Sequence, residues 1–252
     1  MNSRRRLIAA NWKMYKTPQD SFAYVQSLKN KILDIDEVDI ILCAPYTSLF
    51  HISPLFDGEN PQLGAQNMAR HREGAFTGEI SPAMLKASGV RWIVIGHSER
   101  RNLYHETDET VAAKISLAVE EGLWPIVCIG ESLQQREGGA TVDILQSQLD
   151  SVFTTLAEIA VQDLVIAYEP VWAIGTGLNA VPEQIMEAHS AIRGMLTEKL
   201  EDGANSARIL YGGSVNADNC EELIEVDDVD GFLVGGASLE VEQFERIIRA
   251  AV

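Results

Sequence analysis

The sequence predicts a parallel α/β fold, and within that class a closed (β/α)8 barrel spanning residues 1–252 as a single domain. Three observations carry this. Eight short runs rich in apolar residues recur along the chain, and most are nearly continuous rather than alternating, as strands covered on both faces are. Helix-like stretches separate them. Eight such units fit within 252 residues, with no linker or low-complexity tract between them. An open, doubly wound sheet is the alternative that pattern alone leaves standing.

The strand-like runs are residues 6–10, 39–43, 62–65, 92–95, 125–129, 164–168, 208–211 and 231–234. Between them, residues 18–31 space Phe22, Val25 and Leu28 along one helical face. Residues 107–121 do the same with Val111, Ile115 and Ala118. Residues 182–200 begin on Pro182 and carry Ile185, Ala188, Ile192 and Leu196; residues 241–250 carry Phe244, Ile247 and Ile248. Further helices are expected to begin near Tyr46, Ser81, Ser98, Thr141 and Asn216. Residues 66–80 break the rhythm. A loop this long without periodicity often binds something.

Composition narrows the function. Hydrophobic residues make up 46% and charged residues 23%, a globular balance. The formal net charge of −17 opposes nucleic-acid binding, which needs clustered Lys and Arg. An anionic substrate would need a positive potential made locally, by a lysine or by backbone amides. Cys43, Cys128 and Cys220 are odd in number and far apart, which fits a reducing compartment. The five histidines show no metal-site spacing. Arg4, Arg5 and Arg6 read as a solvated tail, and the apolar run Leu7–Ala10 is too short for a secretion signal, so a cytoplasmic location is expected.

The residues able to do chemistry fall just after strands. Asn11 and Lys13 follow the first, His97 the fourth, Glu169 the sixth, Ser214 the seventh, and Gly235 and Gly236 the eighth. In a parallel barrel these ends share one face, where barrel enzymes place their sites. Glu169 stands among apolar neighbours, and partial burial would raise its pKa and suit it as a base. A structural carboxylate paired with arginine is equally open at this point. His97 precedes a helix-like segment whose N-terminus would favour neutral imidazole; a structural histidine is the plainer alternative. Lys13 could supply the local positive charge, or merely be solvated. Gly212-Gly213-Ser214 and Gly235-Gly236 each follow a strand and precede a helix, a context that suits phosphate, although tight turns also use glycine. Gly175-Thr176-Gly177 lacks the strand–turn–helix context of a dinucleotide site and fits a hinged lid better. Cys128 reads as a buried thiol rather than a nucleophile.

Taken together, Asn11-Trp12-Lys13-Met14, Gly74–Glu79, Gly96-His97-Ser98-Glu99-Arg100-Arg101, Cys128–Glu131, Tyr168–Gly177, Tyr211–Ser214 and Gly235–Leu239 resemble the triosephosphate isomerase family along nearly the whole chain. Their joint order and spacing is far more specific than any one motif. The resemblance implies the TIM barrel and interconversion of dihydroxyacetone phosphate and D-glyceraldehyde 3-phosphate through an enediolate, without cofactor or metal. It implies Glu169 as base, His97 as proton-shuttling electrophile, and Lys13 as the charge stabilising substrate and enediolate, with Asn11 beside it. It implies phosphate binding by amides of Gly175, Ser214, Gly235 and Gly236. It also implies a homodimer, with loop 66–80 carrying Thr77 to the partner's site, Glu99 ordering the local network and Cys128 packed behind the base. Tyr211 is expected to latch a closed lid near Ala180.

Two departures stand out. Tyr15-Lys16 replaces a small Asn-Gly pair common after the first motif, and Leu178-Asn179 replaces a Lys-Thr pair at the lid's second hinge. Two rival functions remain. A Schiff-base aldolase would use Lys13 as its nucleophile. A non-catalytic phosphate-ligand binder would have no need of Glu169 or His97.

Overall fold

The computed structural model describes residues 4–154, 164–173 and 180–252. Eight parallel strands form a closed barrel in chain order: β1 (Leu7–Asn11), β2 (Asp39–Ala44), β3 (Gln62–Ala65), β4 (Trp92–Ile95), β5 (Trp124–Ile129), β6 (Val165–Tyr168), β7 (Arg208–Tyr211) and β8 (Gly231–Val234). β8 closes on β1 through the register Leu7 to Gly231. The open-sheet alternative is thereby excluded. All eight expected strands form, with ends shifted by a residue or less. The first shift matters, because Asn11 is the last residue of β1 rather than the first after it.

Alternation along the strands divides the core in two. Leu7, Ala9, Ile41, Cys43, Trp92, Val94, Ile126, Cys128, Val165, Ala167, Leu210 and Leu233 fill the barrel interior as one cluster. Ile8, Ala10, Ile40, Leu42, Ile93, Ile95, Val127, Ile166, Ile209 and Phe232 face outward onto the helices. A buried Leu or Ile contributes roughly 1.5–3 kcal/mol relative to exposure, so both layers must be filled to hold the barrel closed.

The helices are α1 (Pro18–Lys31), α2 (Tyr46–Ile52), α3 (Pro82–Ala87), α4 (Ser98–Tyr104), α5 (Asp108–Glu120), α6 (Leu133–Glu137), α7 (Thr141–Phe153), α8 (Pro182–Leu200), α9 (Cys220–Ile224) and α10 (Val241–Ala250). Local chemistry sets their starts. Thr17 and Asp20 form a capping box ahead of α1, with Pro18 in its first turn, and Lys29 and Lys31 complement its C-terminal end. Ser81 caps α3 and Thr107 caps α5.

Two expectations need correction. The helix expected near Asn216 begins only at Cys220. Asn216 Oδ1 accepts from the amides of Asp218 and Asn219, and Asn219 Oδ1 accepts from the Asn216 amide. These side chains divert the backbone into a turn first. The arginine tail is also not simply solvated. Arg4 pairs with Asp228 and the fully buried Asp230, Arg5 with Asp39, and Arg6 with Glu225. Residues 66–80 contain neither helix nor strand, as expected. The Ala69 amide donates to the Ile80 carbonyl at their base (2.9 Å).

Candidate active site

Continuing each inward-facing series one step past the interior cluster yields the lining of the barrel mouth. On β6, Val165 and Ala167 lead to Glu169; on β1, Leu7 and Ala9 lead to Asn11. On β7 and β8, Leu210 and Leu233 lead to Gly212 and Gly235. A period of two thus delivers polar or side-chain-free positions to one face after a wholly apolar interior. There Asn11, Lys13, His97, Glu169, Ser214, Gly235 and Gly236 line a common cavity of about 480 Å³.

Glu169 is only 2% exposed. His97 Nε2 donates to its Oε1 at 2.9 Å, and the Ser98 amide donates to its Oε2 at 2.8 Å. His97 is the N-cap of α4, its Nδ1 accepting from the Glu99 amide at 3.1 Å. The anticipated link between His97 and a helix start is therefore a direct hydrogen bond. Burial pushes the Glu169 pKa up, but the net rise expected from the sequence does not occur. The His97 ring, the Ser98 amide and the Lys13 ammonium outweigh burial and hold the carboxyl below its ordinary value. Burial lowers the His97 pKa, and the Glu169 carboxylate overrides it and raises it. The Glu99 amide opposes that rise, because an imidazolium would carry a second proton on the nitrogen that accepts from it. The tautomer this geometry satisfies is neutral, with its proton on Nε2 facing Glu169.

Lys13 sits at φ 51, in the left-handed region, and Asn11 Oδ1 accepts from its amide at 3.0 Å. That local bond stabilises a backbone conformation costly to most residues. The Lys13 ammonium pairs with Glu99 at 2.6 Å and lies 3.9 Å from where a Cβ on Gly235 would be. It therefore bridges the end of β1, the helix that His97 caps and the turn after β8.

The glycine turns differ from each other. A Cβ on Gly213 would fall 2.1 Å from the Tyr211 hydroxyl, and one on Gly212 would fall 3.0 Å from Glu169 Cγ. At Gly213 a side chain would have to displace the Tyr211 ring, whereas at Gly212 it would only be tight. Because α9 starts late, no helix N-terminus backs Gly212-Gly213-Ser214. Gly236–Leu239 forms a 3-10 turn directly after β8. The Ser214 hydroxyl donates to the Ala173 carbonyl at 2.8 Å. Gly175 and the rest of the expected lid at residues 174–179 lie outside the described residues.

Glu131 was visible in the sequence as part of a motif, without a role assigned to it. It is fully buried, and Tyr168, Trp172 and Arg136 all donate to its Oε1, at 3.1, 3.0 and 3.2 Å. The segment Glu169–Ala173 is thus fastened at Trp172. A carboxylate placed just after an apolar strand run and followed closely by Arg136 is the signal the sequence offers. Cys128 lies one inward step below Gly130. Burial, and then the Glu169 carboxylate, raise its pKa well above normal, which keeps it a thiol.

Fold and site together define a (β/α)8-barrel enzyme with acid–base groups gathered at the C-terminal mouth of its strands. Residues 6–251 match the family model described as triosephosphate isomerase. The chain is 44% identical over 249 residues to the triosephosphate isomerase of Endomicrobium trichonymphae, covering 98% of each chain. It is 45% identical over 250 residues to that of Carboxydothermus hydrogenoformans, covering 99% of this chain and 100% of the relative. Against that of Solibacter usitatus it is 46% identical over 246 residues, covering 97% and 99%. The chain belongs to the triosephosphate isomerase family and is an isomerase.

Proposed function

We propose that the enzyme interconverts dihydroxyacetone phosphate and D-glyceraldehyde 3-phosphate by proton transfer through an enediolate, with residues 1–252 acting as one catalytic domain. The observation that carries this reading is the 2.9 Å contact between His97 Nε2 and Glu169 Oε1, at the wall of a cavity that Lys13 and Gly235 also line. Glu169 removes a proton from C1 of the ketose. The C–H electrons form the C1–C2 double bond, and the carbonyl π electrons move to O2. His97 donates its Nε2 proton to that oxygen and takes one from O1, so O1 becomes the new carbonyl oxygen as Glu169 returns a proton to C2. Lys13 offsets negative charge on substrate and enediolate, and Asn11 fixes the Lys13 backbone.

The phosphate is assigned to amides at Gly175, Ser214, Gly235 and Gly236. Gly235 supports this best, because it lines the cavity next to the Lys13 ammonium; Ser214 and Gly236 line the same cavity. The chemistry calls for no metal and no organic cofactor. The aldolase alternative is weakened by the Lys13–Glu99 ion pair, since a lysine held as an ammonium is a poor nucleophile.

The enzyme is proposed to work in the cytoplasm as a homodimer. Its three described cysteines are free and buried, which suits a reducing compartment. No helix among the described residues is long and apolar enough to cross a membrane. Loop 66–80, with Thr77 near its exposed tip, is the proposed reach into the partner.

A coupled assay supplying each triose phosphate in turn tests the reaction, with turnover expected in both directions. Ligand binding without turnover would favour the binder. Covalent trapping of the ketose phosphate on Lys13 by borohydride would favour the aldolase.

A further inference from the structure

Lys16 lies outside the cavity, yet its side chain reaches the turn that follows β8. Its backbone adopts φ 70, a conformation unfavourable for a residue bearing a Cβ. Its ammonium donates to the Leu239 carbonyl at 2.8 Å, at the C-terminal end of the 3-10 turn Gly236–Leu239. The same ammonium lies 4.4 Å from the Tyr24 ring centroid and 5.5 Å from that of Trp12. Tyr24, on α1, donates its hydroxyl to the Ser238 carbonyl at 2.7 Å. Ser238 is fully buried, and its hydroxyl donates to the Gly235 carbonyl at 2.7 Å.

The carbonyls of Gly235, Ser238 and Leu239 are therefore all held by side-chain donors, two of them from the β1–α1 segment. Gly235, Gly236 and Ala237 line the cavity. Lys13 touches this turn from the cavity side, and Lys16 grips it from behind.

We propose that Lys16 is a positioning residue, which with Tyr24 holds the turn Gly235–Leu239 in the shape that binds the substrate phosphate. This rests on the function proposed above. A cation at the carbonyl end of a helical turn complements its dipole and satisfies an acceptor that would otherwise be left to water. Lysine is informative at this position because its left-handed backbone would suit glycine better. The side chain's contacts offset that conformational cost.

The test compares Lys16→Met, Lys16→Gly and Lys16→Arg with the unaltered enzyme. It measures KM, kcat, thermal midpoint and the competitive inhibition constant of inorganic phosphate. Loss of one charge-assisted bond should raise KM and the phosphate inhibition constant about three- to fivefold in Lys16→Met, with kcat held within about twofold. Lys16→Gly, which relieves the backbone, should bind phosphate as weakly as Lys16→Met. Lys16→Arg should recover most of the affinity. A lowered thermal midpoint with unchanged phosphate inhibition would overturn the proposal and leave Lys16 a packing role. If phosphate competes equally in all variants, the role of Lys16 falls alone. If phosphate does not compete even in the unaltered enzyme, the assigned phosphate site falls, and the role of Lys16 with it.

Discussion

Gly130 has no room for a side chain because Glu169 occupies the space: a Cβ there would fall 1.8 Å from the Glu169 carbonyl oxygen and 2.7 Å from its carbonyl carbon. The two residues are matching inward steps beyond β5 and β6, whose register pairs Cys128 with Ala167 and Ile129 with Tyr168. The Glu169 amide also donates to the Ile129 carbonyl at 2.8 Å. The proposed base is thus aimed from its main chain, and Gly130 sets how closely that chain can approach β5. Gly130→Ala should push Glu169 away from His97. A displacement near 1 Å can lower the rate about 100-fold, and overpacking at a rigid site costs about 1–3 kcal/mol. Steady-state kinetics and urea denaturation of the variant check both effects. An alanine enzyme with unchanged kcat would show that the base is not positioned through this contact.

Glu169→Gln keeps the shape of the side chain and removes its basicity. The kcat should fall by roughly two to four orders of magnitude, the range a positioned base supplies. Competitive inhibition by phosphate should be nearly unaltered. Lys13→Ala should weaken phosphate inhibition as well as rate, because its ammonium neighbours Gly235. Near-normal turnover in the glutamine variant would remove Glu169 from the mechanism, and unaltered affinity in the alanine variant would remove the charge role of Lys13.

Most of this site could be foreseen because strand period and strand end are both written in local sequence. The apolar runs place the strands, and a parallel barrel sends their C-terminal ends to one mouth, so Asn11, His97, Glu169 and Gly235 converge without knowledge of any contact. What sequence left open was settled by pairs distant along the chain. The net lowering of the Glu169 pKa depends on an imidazole and an amide some 70 positions away in sequence (Ser98 and Glu169 are separated by 71). The hub at Glu131 depends on Arg136, Tyr168 and Trp172 meeting it in space. The late start of α9 was missed for a different reason, since Asn216 and Asn219 can cap a helix or build a turn, and only their mutual bonds decide between the two. In the sequence Lys16 is only half of a pair that departs from the family; its contact with the turn after β8 exists only once β8 is brought beside β1.

His189, on α8, introduces an acid sensitivity of the fold, separate from the proton transfers proposed at Glu169 and His97. It is fully buried, its Nδ1 is 3.0 Å from the Asp228 carbonyl, and its ring meets Tyr168 edge-on at 5.8 Å. Burial lowers its pKa from 6.5 to about 4. Between those values the unfolded chain binds a proton that the folded protein does not. Stability from this group is therefore complete above pH 6.5 and declines as pH falls toward 4. The full loss corresponds to about 3 kcal/mol. His189→Gln cannot take up that proton, so its stability should fall less than that of the unaltered enzyme between pH 7 and pH 4. Urea unfolding at the two pH values measures the difference, and equal losses would mean that His189 is not the buried neutral base described here.

The proposed dimer gives the last test, and it bears on why loop 66–80 is long. The loop tip is exposed from Arg72 to Glu79, although His71 and Phe76 stack with ring centroids 4.0 Å apart and give it a defined shape. Beside the active site a second hollow, of about 170 Å³, is bordered by Asn11, Lys13, Gln66, Asn67 and Glu99. Met14 and Tyr104 also border it, and they are 94% and 65% exposed. Large side chains left exposed beside a pocket are what a covering molecule would bury. A second copy inserting Thr77 would cover it and would hold Lys13 and Glu99 from the side opposite Gly235. Thr77→Arg, which places a bulky charge at the insertion point, should shift sedimentation from dimer to monomer at micromolar protein. Its specific activity should fall steeply on dilution, because each site would lose the wall its partner supplies. An unaltered enzyme that sediments as a monomer while turning over fully would disprove the proposed assembly, and would leave the exposed Met14 and Tyr104 beside Lys13 to another occupant.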